Sequence, residues 1–85
     1  MECVVIVREP GTSEWRDAGT HNLAVLPRIG ERIEFQQEDG QTFLYRVVSV
    51  HHRPQPTEPA IDLLAVREGN TSEVMRRIWA STSIR

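Results

Sequence analysis

The chain is expected to fold as a mainly β domain, a small five-stranded antiparallel barrel with one short C-terminal α-helix. Three observations lead there. Asp39-Gly40 sits between two runs rich in β-branched and aromatic residues, which is the strongest short-range sign of an antiparallel hairpin. Two other apolar runs, Cys3 to Arg8 and Ala60 to Val66, are each bounded by turn-forming residues. The stretch after Asn70 repeats its apolar residues at helical spacing. At 85 residues the chain is one domain, 1–85, with room for a single modest core and none for a deep substrate cleft.

Cys3 to Arg8 reads as a first strand, ended by Pro10-Gly11. Thr12 to Asn22 is polar apart from Trp15 and Ala18, and it is either an irregular strand around Glu14 to Asp17 or a long surface loop. Leu23-Ala24-Val25-Leu26 is expected as a short strand stopped by Pro27, and Pro27-x-x-Gly30 as a compact turn into the main hairpin. Two loop lengths compete in that hairpin. With Asp39-Gly40 alone as the loop, Ile33 would face Arg46 and Glu34 would face Tyr45, mixing polar and apolar groups on both faces. With Glu38-Asp39-Gly40 as a three-residue loop and Gly40 left-handed in a bulge, Phe35 meets Phe43, Ile33 meets Tyr45 and Glu31 meets Val47. The second register is preferred, because a slip of one residue would turn an apolar row to water.

The strand from Phe43 to Val50 is apolar on both faces, with Val48 and Val50 opposite Tyr45 and Val47. A sharp bend through a bulge near Ser49 is the expected cause. Pro54, Pro56 and Pro59 then exclude a central strand, so the stretch they occupy is a connection, part of it polyproline II. Ala60 to Val66 resumes as a strand, with Ile61, Leu63 and Ala65 on one face and Leu64 and Val66 on the other. Gly69 ends it. Asn70 is placed to cap a helix over about 71–80, with Glu73 as a reciprocal cap. Val74, Met75, Ile78 and Trp79 form its apolar stripe, and a helix of this length must dock on something to persist.

Composition bounds function. A formal charge of -2 gives no general electrostatic hold on nucleic acid or acidic lipid. All ten basic residues are arginine. Arginine is the better fork for phosphate, but here the arginines are scattered among twelve acids, which favours compositional bias over a phosphate site. One cysteine excludes an intramolecular disulfide or a thiolate zinc site, and Cys3 reads as a small buried hydrophobe. The first eight residues have no basic leader, and their apolar run is too short for a signal or a membrane span, so a cytoplasmic protein of a bacterium or phage is expected.

No residue pattern indicates catalysis, a cofactor or a metal. His51 and His52 are strand neighbours whose side chains leave opposite faces, and no acid stands at a ligand spacing from them or from His21. Arg53-Pro54-Gln55-Pro56-Thr57-Glu58-Pro59 fits a proline-rich peptide ligand but reads more simply as a solvated connector. Arg32, Glu34 and Arg46 share a hairpin face, where an exposed ion-pair lattice accounts for them. Trp15 is either a binding anchor or a ring folded over the barrel end, and the Met75 and Trp79 stripe either caps the barrel or is offered to another chain.

The pairing of Pro27-Arg28-Ile29-Gly30-Glu31 with Tyr45-Arg46-Val47-Val48-Ser49-Val50-His51 resembles small SH3-like barrels of bacteria and their phages, over residues 23–66. The resemblance implies a protein-binding module, an RNA-binding module or a small phage connector, and carries over no catalytic residue. The expectation is a non-catalytic interaction or assembly module, bound to another protein or to itself, with Trp15, Tyr45, Arg46, Met75 and Trp79 as partner-binding residues. The alternative is a single-stranded nucleic-acid module using Arg28, Arg32, Arg46 and Arg53 beside Tyr45.

Overall fold

The computed structural model describes residues 1–54 and 60–82. Five strands and a helix follow one another: β1 (Glu2–Arg8), β2 (Trp15–Asn22), β3 (Arg32–Gln36), β4 (Thr42–His52), β5 (Ile61–Asn70) and α1 (Thr71–Thr82). They form one sheet in the order β2-β1-β5-β4-β3, curled into a half-barrel. The proline-rich reading of 53–59 falls mostly on residues outside those described. Among the described residues no helix is long and apolar enough to cross a membrane.

Two pairings form hairpins, β1 with β2 and β3 with β4, and β4 continues antiparallel into β5. One pairing departs from the antiparallel expectation: β5 returns beside β1 and runs parallel to it, Val5 beside Leu63 and Val7 beside Ala65. These two central strands supply the most deeply buried side chains of the sheet. Cys3, Val5 and Val7 from β1 and Leu63 and Ala65 from β5 are shut off from solvent. Ile33, Tyr45 and Val47 complete the inner cluster, with Phe35, Phe43, Val50 and Ile61 packed around it.

The main hairpin has the three-residue loop. Gln37 N–H donates to Gln41 O (2.7 Å), Gly40 N–H donates to Gln37 O (3.0 Å), and Gly40 sits at φ +88°. Phe35 therefore faces Phe43, and Ile33 faces Tyr45. Beyond the strand, Val47 N–H donates to Glu31 O (2.8 Å), which brings these two residues together as well.

Three bulges curl the sheet. In β4 the pairing passes from Val47↔Ala65 to Ser49↔Leu64, so Val48 is the extra residue. An extra residue reverses the inside-outside alternation beyond it. Val50 thereby joins Val47 on the core face instead of opposing it as the alternation alone suggests. In β5 the extra residue is Glu68, between Leu44↔Gly69 and Tyr45↔Arg67. In β2 it falls near Gly19, at φ +94°, where the Asp17 carboxylate accepts the Gly19 N–H at 2.7 Å.

The second strand is longer than Glu14 to Asp17, and Leu23 to Leu26 is not a strand. Met1 secures the end of β2 instead: its ammonium donates to Asn22 Oδ1 (2.7 Å) and Leu23 O (2.9 Å). The chain then bends across the open side of the half-barrel, with Leu23 and Leu26 turned onto the core and Val25 exposed. An alternating strand would have needed a partner there to bond its main chain.

Candidate functional site

Strand β5 runs directly into α1, and the junction explains where the helix lies. Asn70 Oδ1 accepts the Ser72 N–H (2.9 Å), as a capping residue does. Just before it, Gly69 adopts φ +148° opposite Leu44. Val74 is buried against this glycine. Leu44 is buried too, although it points away from the core side chains Phe43 and Tyr45, because α1 covers that outer face of β4 and β5. The helix thus lies on the outside of the half-barrel near one end rather than plugging its mouth.

The apolar stripe divides along its length. Val74 takes the inner position and Ile78 is half-buried beside it, bordering Arg32, Glu68 and Arg77. Met75 and Trp79, one turn apart, look the other way, and Trp79 remains 66% exposed. With Thr71, Ser72 and Arg76 they line a shallow groove of about 410 Å³. The small side chains at its start leave the floor, Met75 and Trp79 form an apolar wall, and Arg76 borders it with a cation. An exposed Trp with a half-buried Met and an arginine beside it is a composition that recurs at the centres of protein interfaces.

The other expected partner-binding residues lie elsewhere. Trp15 opens β2 at the sheet edge with the Arg8 guanidinium 5.2 Å above its ring, a cation–π contact that holds it against its own barrel. Tyr45 is in the core, 3% exposed and edge-on to Phe35 at 5.4 Å. Arg46 is on the opposite face of the same strand, directed to Glu68 (3.9 Å). Only Met75 and Trp79 of the five meet in one site.

Glu68 was not apparent as a functional or structural residue from the sequence, since no local pattern reveals the bulge that turns it outward. It sits between Arg32 (2.5 Å) and Arg46, two cations that face each other across β3 and β4. Glu34 shares that face as expected, in register with Leu44, but makes no ion pair among the described residues. Arg28 is held by Glu31, which accepts from the Arg28 backbone N–H (2.7 Å) and guanidinium (3.1 Å); these bonds hold the Glu31 carboxyl below its ordinary range. Arg53 and His51 both reach the Asp62 carboxylate at 3.3 Å. The four arginines of a nucleic-acid reading are therefore each matched to an internal carboxylate.

The concave side holds a second, smaller hollow of about 210 Å³ between the two sheet edges, lined by Arg16, Ala18 and His21 of β2 and by Phe35 and Gln36 of β3. His21 stacks on Phe35 (4.7 Å between ring centres), its Nε2 2.9 Å from Ala18 O. Neither His51 nor His52 borders that hollow. Among the described residues no group of three or more His, Cys, Asp or Glu is arranged to hold a metal. Comparison of the chain with protein-family models, with curated proteins and with solved structures finds no match.

Proposed function

We propose that this protein is a non-catalytic, cytoplasmic interaction or assembly module whose partner docks on the outward face of α1. The observation that carries the reading is the split stripe: Val74 is buried on the sheet, while Trp79 faces solvent along a groove that half-buried Met75 also lines. Leaving a large apolar side chain such as this in water forgoes about 1.5 to 3 kcal/mol. A 12-residue helix has little intrinsic stability to offset that, so the arrangement makes most sense when a second surface covers it. The resemblance of residues 23–66 to small SH3-like barrels, some of which bind proteins, supports the same reading.

The nucleic-acid alternative loses its support where Arg28, Arg32, Arg46 and Arg53 are engaged by Glu31, Glu68 and Asp62. A photo-crosslinking amino acid in place of Trp79, irradiated in cells of the natural host, tests the proposal. Covalent protein adducts are expected from position 79 and not from Glu34 on the outer face of β3. An absence of adducts at 79, or equal adducts at both positions, contradicts it.

A further inference from the structure

We infer that the α1 groove receives an acidic amphipathic helix of a different protein; this rests on α1 being the interaction surface and specifies what it takes. The first support is a charge imbalance. Among the described arginines, Arg16, Arg28, Arg32, Arg46, Arg53 and Arg67 are ion-paired to Glu9, Glu31, Glu68 or Asp62. Arg8 lies over Trp15 and donates to Thr12 O (2.8 Å). That leaves Arg76 and Arg77, which make no ion pair among the described residues, and both are on α1. The molecule is acidic as a whole, yet of these two described arginines Arg76 borders the groove of its most exposed tryptophan, while Arg77 lies toward Val74 and Ile78 on the inner side of the helix. A complementary surface supplies carboxylates next to an apolar anchor.

The second support is the shape of the groove. Its lining residues 71, 72, 75, 76 and 79 advance by helical turns, so it runs along the α1 axis for about 12 Å at 1.5 Å per residue. A helix laid alongside presents anchors at spacings of three and four to such a groove. An extended strand would find no free main-chain ladder there, since the helix interior bonds its own backbone. An apolar side chain of the partner rests over Thr71 and Ser72 against Met75 and Trp79, and an Asp or Glu one turn away reaches Arg76. Self-pairing of α1 is disfavoured by charge, because two copies would bring four arginines against two glutamates.

Selection from a library of random peptides, with the whole chain as bait and its Trp79→Ala variant as counter-selection, tests this. Enriched peptides are expected to combine Asp or Glu with apolar residues three or four apart, to weaken with salt, and to lose at least about tenfold in affinity to Trp79→Ala. Arg76→Glu with Arg77→Glu is expected to invert the preference toward basic peptides. Both substitutions are at exposed positions, and circular dichroism verifies that each variant stays folded. The inference is overturned if no Trp79-dependent peptide emerges, or if the selected peptides are basic or uncharged. It is also overturned if α1 instead mediates self-association in light scattering, or binds RNA or phosphatidylserine vesicles. Adducts from position 79 in cells together with any of these results would leave the interaction reading standing and remove this one.

Discussion

Val74 Cγ2 lies 3.5 Å from the point where a β-carbon on Gly69 would sit. A β-carbon there would meet Val74 at ordinary van der Waals contact, with Arg77 Nη2 3.7 Å from the same point, so space alone does not require glycine. Gly69 also occupies φ +148°, a conformation L side chains rarely adopt. Gly69→Ala is expected to destabilise the fold by about 1 to 3 kcal/mol, chiefly through backbone strain. Urea unfolding measures it, and unchanged stability would mean that the junction between β5 and α1 is looser than described.

Asp62 is the one charged residue buried among those described, at 8% exposure, and its two oxygens serve two partners, the Arg53 guanidinium and the His51 ring. Asp62→Ala leaves Arg53 and His51 without that acceptor. A loss of about 1.5 to 3 kcal/mol is expected, toward the lower end because both partners reach solvent. Denaturant unfolding near neutral pH checks it.

Glu31 ties the turn at residues 28–31, and its carboxyl is held down first by the Arg28 backbone N–H and then by the Arg28 guanidinium. A carboxyl depressed in the folded state contributes stability that is complete above its unfolded value. That contribution is lost as pH falls through the lower folded value. Wild-type protein is accordingly expected to lose more stability on acidification than Glu31→Gln, and the Glu31 carboxyl resonance to titrate below 4.5. Parallel acid-limb melts of the two proteins would refute this if they followed the same course.

Cys3 has no solvent exposure, and burial pushes its thiol up, against a smaller downward pull from the N-terminal ammonium. Thiolate is the reactive form, so native protein should react with a disulfide reagent only as fast as it unfolds. Rapid labelling without denaturant would show that the N-terminal strand opens independently of the core.

Legibility in the sequence followed how local the deciding interaction is. The register of Phe35 with Phe43 was readable because the Glu38-Asp39-Gly40 loop and the alternation on both arms agree. The bulge near Ser49 announced itself as a strand apolar on both faces, though its consequence, Val50 turned inward, required the pairing with Leu63. Leu23 to Leu26 looked like a strand because four apolar residues in a row do not reveal whether a neighbour exists to bond them. The parallel return of β5 beside β1 is a long-range choice that leaves no local trace.

The candidate site was half legible for the same reason. Met75 and Trp79 were singled out by periodicity, but that signal does not divide a stripe into a docked edge with Val74 and an open edge with Trp79. Arg76 joins the site only once α1 is seen to lie on the outer face. Tyr45, picked as an aromatic beside Arg46, belongs to the core because strand neighbours point to opposite faces.

The most direct test of the central claim is the fluorescence of Trp79 in a Trp15→Phe background, which leaves it as the only tryptophan. In dilute free protein its emission should be that of a solvated indole, readily quenched by acrylamide. Addition of a selected acidic peptide should shift it to shorter wavelength and shield it. Blue, quench-resistant emission from the dilute free protein would contradict the account, because the face assigned to a partner would then already be covered.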